Sequence, residues 1–359
     1  MMRRSIAVLA AFAMGVALAA CTAKSDQALP GSGSPVPTAS AEPLLTCDDL
    51  VDMADVVDAL TGSDGVAPTP VPATRVTTDL RDLVNEAAGG LTCSWRVGEP
   101  PFNASDAPSP ESRLAYLIIE LLPGSDGQTQ DDAPNSGTRL GVDEIDGHPV
   151  WEDCADGGCW TEATVDEVKV VVTLTFPYWL QGWSRYGEMT ADDLLPKTRP
   201  VVASTLEAIA DAPAERTEWP SIGAVSDGST CDSAVDPVAI ASALGLPEVV
   251  WNEHRYDAES PQARVGLYEC WQAGANDVSV TVGAGLAPVV AEMATEPDNA
   301  RAFERVTLEG ASQGDIALRS CATDAPRCSV LFTLGVDAYG VGSTIDAVAA
   351  AEAIIARSS

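Results

Sequence analysis

Positive charge is what this sequence has least of. Its 359 residues include three lysines and seventeen arginines against 53 acids, for a formal net charge of -33. A surface so acidic repels phosphate backbones and anionic lipid headgroups, which argues against a nucleic-acid partner. Histidine is nearly missing, with only His148 and His254. Aromatic residues make up 5% of the chain. The apolar run from Ile6 to Leu18 is thirteen residues, too short to span a bilayer as a helix. There is no Gly-x-Ser-x-Gly, His-Glu-x-x-His, phosphate-cradling glycine loop or EF-hand spacing. Carboxylates are too numerous to single out an acid–base pair. No catalytic residue, metal ligand or cofactor is therefore assigned, and a carboxylate-based hydrolase is the weakest of the functional readings. The shortage of lysine beside abundant alanine matches a high-GC bacterial genome.

Hydrophobic residues account for 46% of the chain, enough to build real cores, and the length suits two domains. At the amino terminus Arg3 and Arg4 precede the apolar run, which closes on Leu18-Ala19-Ala20-Cys21. Charge, then a short apolar segment, then small residues reads as a secretory signal. A cysteine directly after Leu-Ala-Ala resembles the bacterial lipobox, which implies cleavage after residue 20 and acylation of Cys21. The chain is then expected on the extracytoplasmic face of the cell membrane, held by its own lipid. The next residues, to Leu44, are rich in Ser, Pro, Gly, Ala and Thr and read as a flexible stalk covering 21–44.

The remainder reads as one unit written twice. Cys47 opens an apolar helix pattern with Leu60 near its end and Gly62 as a stop; Cys231 opens another that stops at Gly245. Each is followed by a cysteine beside tryptophan, Cys93-Ser94-Trp95 and Cys270-Trp271. Each then reaches a close cysteine pair, Cys154/Cys159 and Cys321/Cys328. Gly147 and Gly314 both lie seven residues before the third cysteine of their copy. The fold class expected is α+β: two tandem antiparallel sheets, each flanked by N- and C-terminal helices and carrying two disulfides. The domains are expected at 45–211 and 229–359, with 212–228 as a proline- and glycine-marked linker.

Within the first copy the pattern predicts a helix over Asp48–Leu60, a short helix over Asp79–Ala88, and strands at Leu91–Val97, Leu114–Leu122, Val150–Asp153 and Val165–Phe176. A last helix is expected at Thr198–Ala210, with Pro200 in its first turn. The strand at Leu114–Leu122 is apolar on both faces and so expected to be central. In the second copy Asp236-Pro237 reads as a helix start, strands are expected at Leu267–Gln272, Val278–Val282, Ile316–Ser320 and Ser329–Val336, and Pro288–Arg305 as partly helical. Ser343 is expected to cap a terminal helix.

With Cys21 acylated, eight cysteines remain in an exported chain, which implies disulfides. Four cysteines allow three pairings per copy, and spacing alone does not choose among them. The pairing expected is Cys47–Cys93, Cys154–Cys159, Cys231–Cys270 and Cys321–Cys328. Zinc is the rival use of the close pairs, and export and the want of nearby histidines oppose it.

One aromatic stretch, Phe176 to Tyr186, has no equal in the second copy. Tyr178, Trp179, Trp183 and Tyr186 are the candidate binding residues, with cover of the sheet end as their structural alternative. His254, in Trp251-Asn-Glu-His-Arg-Tyr256, also has no counterpart in the other copy.

Cys47, Leu60, Gly62, Cys93, Ser94 and Trp95, and in the second copy Cys231, Leu244, Gly245, Cys270 and Trp271, carry a resemblance to a domain of unassigned function in actinobacterial lipoproteins. The pattern is more distantly similar to the extracellular sensor domain of mycobacterial Ser/Thr kinases. The resemblance covers about a third of each copy; the second lacks the serine. It implies helices against an antiparallel sheet, disulfides and a ligand cleft, and it assigns no catalytic residue. The function expected is a ligand-binding or sensing module of the envelope, with a small ligand or an envelope protein as partner; a purely structural role in an envelope complex is the alternative.

Overall fold

The computed structural model describes residues 43–74, 76–98, 113–124, 142–155, 158–175, 184–187, 189–222, 230–258, 260–273, 277–321 and 327–358. The signal, Cys21, the stalk and the aromatic candidates Tyr178, Trp179 and Trp183 lie outside them. Among the described residues no helix is long and apolar enough to cross a membrane.

The first half runs α1 (Cys47–Leu50), α2 (Met53–Ala59), β1 (Val71–Pro72), β2 (Leu91–Val97), β3 (Ala115–Pro123), β4 (Val142–Ile145), β5 (His148–Ala155), β6 (Gly158–Val165), β7 (Val168–Thr175) and α3 (Ala191–Ala210). The second runs α4 (Cys231–Ala234), α5 (Pro237–Leu244), β8 (Trp251–Arg255), α6 (Pro261–Arg264), β9 (Tyr268–Gln272) and β10 (Val278–Gly283). It continues with α7 (Ala287–Met293), α8 (Pro297–Ala302), β11 (Glu304–Arg305), β12 (Ala317–Cys321), β13 (Cys328–Leu334), β14 (Asp337–Ser343) and α9 (Ala347–Ser358).

Each half holds one seven-stranded antiparallel sheet. The spatial orders, β1-β2-β3-β7-β6-β5-β4 and β8-β9-β10-β14-β13-β12-β11, are the same order seven strands apart. The α+β fold and the repeat expected from the cysteine pattern are thus present in the strand topology. The four disulfides are Cys47–Cys93, Cys154–Cys159, Cys231–Cys270 and Cys321–Cys328, all within a half. In each half one bridge ties the first helix to the second strand. The other joins residues directly opposite each other in a hairpin, Cys154 with Cys159 and Cys321 with Cys328. Gly147 and Gly314 both take positive φ, 86° and 111°, where a side chain would be strained.

The first helix is broken where a single one was expected. Val51 and Asp52 are extended, so α1 and α2 are separate turns with Asp52 at the start of the second. The break turns Met53 outward, 48% exposed, and buries Val56, Ala59 and Leu60 instead. The second half breaks at the equivalent place, Val235 and Asp236, where Asp236 accepts from the Val238 and Ala239 amides. Helix α3 begins seven residues earlier than expected and carries both Pro196 and Pro200 inside it. Each proline removes a backbone donor, at about 3 kcal/mol for an interior position. Burial of Leu194, Val201, Val202, Leu206 and Ile209 against the sheet offsets that cost. The stretch 79–88 forms only a 3-10 turn at Leu80–Leu83.

The expected strand from Val165 is corrected to a hairpin. Asp166 and Glu167 both have positive φ, 47° and 63°, and turn β6 into β7. Two-residue turns of this kind match the twist of the flanking strands. Strand β14 occupies Asp337–Ser343, part of a glycine-rich stretch with no strand expected. Asp346, not Ser343, caps α9, accepting from the Val348 and Ala349 amides. Ser343 instead accepts from Ile345 and Asp346 in the turn before it.

Among the described residues, buried apolar side chains form three clusters. One lies between the first sheet and α2/α3, and another between the second sheet and α5/α9. The third draws on both halves: Leu80, Tyr116 and Ile118 from the first pack with Leu267, Val290 and Leu331 from the second. Alternation along β3 explains this, since Leu117, Ile119 and Leu121 face the first cluster while Tyr116, Ile118 and Leu122 face the third. Residues 212–222, expected as linker, pack on the first half: Trp219 donates its indole N–H to the Leu45 carbonyl, and Thr217 is buried.

Candidate functional site

The junction between the sheets is where the two halves cease to be equivalent. The 3-10 turn Leu80–Leu83 crosses from the first half onto β10 and β14 of the second. Small residues make room for it: a Cβ on Gly283 would lie 2.9 Å from Leu80 Cδ2, and one on Gly340 would touch Leu80 Cβ. In return α6 reaches the first half. Gln262 donates to the Arg81 carbonyl at 3.2 Å, and Arg264 donates to the Gly124 carbonyl at 3.0 Å and to that of Pro123.

At the rim of this junction stands an aromatic group that, among the described residues, only the second half carries. Strand β8 is an edge strand; Asn252 lies opposite Trp271 on β9, and His254 opposite Glu269. Residues opposite or two apart share a face of the sheet, which gathers these side chains. The His254 ring lies 4.8 Å from Tyr256, edge-on, and 5.7 Å from Trp271. His254 is exposed, and Trp271 and Tyr256 are half-buried. The first half has only Val71–Pro72 at the strand corresponding to β8, and Ser94 where Trp271 stands.

Charge is supplied from across the junction. Arg81 Nη1 is 3.2 Å from Glu269 Oε1, and its Nε donates to both Asp79 oxygens at 2.9 Å. The hydrogen bond to Asp79 and the neighbouring carboxylates hold the Arg81 guanidinium firmly protonated, against the opposing effect of burial. Burial, and then the Glu269 carboxylate, push the Tyr256 phenol well above its usual range, so it stays neutral. The rim thus presents two aromatic rings, an imidazole, and a cation between two carboxylates. Such a surface suits contact with a ligand that has both an apolar face and hydrogen-bonding edges.

The aromatic candidates named from sequence fare differently. Tyr186 is fully buried in the first cluster, and its hydroxyl donates to the Ala59 carbonyl at 3.0 Å. It is a core residue, and its proposed contact role is withdrawn because no part of the ring reaches solvent. Tyr178, Trp179 and Trp183 are outside the described residues. His148 begins β5 directly after the turn formed by Asp146 and Gly147. Among the described residues no group of three His, Cys, Asp or Glu side chains is placed to hold a metal ion.

Sequence reading missed Trp271, Tyr256, Glu269 and Arg81 as a group. Trp271 served only to mark a cysteine, and Arg81 lies in the other copy. The available signal was the i, i+2 spacing of His254 and Tyr256, which places both on one side of a strand. The chain matches no family model, no curated protein and no solved structure.

Proposed function

We propose that this chain is a lipid-anchored module on the extracytoplasmic face of the cell membrane, which binds a ligand or protein of the envelope through the rim around His254, Tyr256 and Trp271. The observation that carries the binding reading is the exposure of His254 beside two half-buried rings, on an edge strand whose counterpart in the first half has no such group. Anchoring rests on the Leu18-Ala19-Ala20-Cys21 pattern behind Arg3 and Arg4. Four disulfides agree with an oxidising compartment.

Two experiments test the two parts. Cys21→Ser removes the acceptor thiol, and the protein is expected to move from the membrane to the soluble fraction; persistence in the membrane fraction overturns the anchor. For binding, the wild type and Trp271→Ala are used to capture material from detergent-solubilised envelope, with mass spectrometry of both proteins and small molecules. A species held by the wild type and lost from a normally stable Trp271→Ala supports the rim as the contact. Equal capture by both forms, or none by either, removes it.

A further inference from the structure

Strand β8 forms one edge of the second sheet, and among the described residues nothing pairs with its outer side. It is five residues long, contains no proline, and leaves Asn252, Glu253, His254 and Arg255 exposed. The other three sheet edges are built differently. β1 and β11 are two residues each, and β1 holds Pro72, which has no N–H to offer a neighbour. β4 has four residues, and Arg199 from α3 is bonded to its Asp143. Charge on an edge discourages pairing with another chain unless the incoming charges match it. On β8 they match those of a second β8.

One hydrogen bond fixes which backbone groups face outward. The Ala273 amide donates to the Val250 carbonyl at 2.8 Å, so these two form a hydrogen-bonded pair. By alternation Asn252–Trp271 and His254–Glu269 are hydrogen-bonded pairs as well. The N–H and C=O of Trp251, Glu253 and Arg255 therefore point away from β9, out of the sheet. A second β8 laid antiparallel must set outward residues opposite outward residues. Centring the two-fold axis on Glu253 opposes carboxylate to carboxylate. Centring it on His254 sets Glu253 of each copy opposite Arg255 of the other.

Both charges are held in place for this. Glu253 accepts from the Cys231 amide at 2.8 Å, and the Arg255 guanidinium lies 4.0 Å from the centre of the Tyr268 ring. Within one chain Arg255 Nε donates to Glu253 Oε1 at 2.8 Å. In the His254-centred register the four charges of two copies alternate in sign around a square, and opposite charges directly across a ladder favour that register.

We propose that β8 is a homodimer edge, at which two copies pair antiparallel about His254 and join their second sheets into one. The two His254 residues then face each other across the axis, and Asn252 of each copy faces Tyr256 of the other, so the two rims become one surface. The proposal does not depend on what the rim binds. A strand this short makes a weak pair, so the dimer is favoured where copies are concentrated.

Cross-linking of the full chain in its own membrane tests the register. His254 occupies the non-hydrogen-bonded position, where facing Cα atoms lie about 4.5 Å apart, within the span of a disulfide. His254→Cys is expected to give a disulfide-linked dimer under mild oxidation, read on a non-reducing gel and by mass spectrometry. Asn252→Cys, which faces a tyrosine, is expected to give none. In the His254→Cys background Arg255→Lys should keep the cross-link and Arg255→Glu should lose it. No cross-link from His254→Cys, equal cross-linking from Asn252→Cys, or indifference to Arg255→Glu overturns the proposal. A cross-link to a different protein does so too, and assigns the edge to that partner.

Discussion

The Arg96 guanidinium and the Asp298 carboxylate, 202 residues apart in sequence, close a two-bond fork across the junction of the two sheets. Their side chains are only 13% and 10% exposed. A pair at this depth is costly to break because the survivor is left charged and buried. Arg96→Ala is therefore expected to destabilise the protein by about 3 kcal/mol. Asp298→Ala should cost a similar amount, and Arg96→Ala with Asp298→Ala together should cost clearly less than the two single changes summed. Urea unfolding of the four forms measures this; strict additivity would show that the pair contributes nothing as a pair.

The two long-range bridges should matter more than the two hairpin bridges. Cys47–Cys93 and Cys231–Cys270 close loops with sequence separations of 46 and 39, against 5 and 7 for the others. On the chain-entropy account the long loops contribute about 4 kcal/mol each and the short ones about 2. Paired Cys→Ser replacements in the long bridges should lower the melting temperature roughly twice as far as paired replacements in the hairpins, as scanning calorimetry would show.

Acid sensitivity is expected at two helix starts of the first half. The Asp49 carboxylate accepts from the amide and hydroxyl of Thr46, and Asp193 from those of Thr190; these bonds hold both carboxyls below the usual range. The corresponding cap at α4 uses Ser233, which does not titrate. A lowered carboxylate pKa stabilises the fold above the unfolded value, near 4, and that contribution disappears as pH falls through the folded value. Asp49→Ser, which copies the second half, should be less stable than the wild type at pH 7 and approach it below about pH 3. Denaturant midpoints at the two pH values check this; a constant difference would contradict it.

What was legible in the sequence was local or covalent. The cysteine order marks the repeat because a bridge needs both partners, and each half supplies its own. Asp236-Pro237 gives the start of α5, and the equivalent break before Met53 was hidden because Asp52 lacks the proline that made the other visible. The strands expected at Val165–Phe176 and Ser329–Val336 each ran into the two-residue turn of a hairpin, Asp166–Glu167 or Gly335–Val336, whose other strand, β6 or β14, had not been expected. Tyr186 looked like a contact residue by composition and became a core residue by burial, a distinction that no periodicity encodes.

The sequence by itself determined the repeat, the disulfide-bearing α+β class and the acidic surface, since these follow from residue spacing and composition. Only the tertiary structure decided that the sheets share a third core, that Arg81 reaches Glu269, and that Arg96 meets Asp298. Those contacts join residues distant in the chain through the faces of two sheets. A face is defined by the alternation of one strand, but what it packs against depends on how the other half folds.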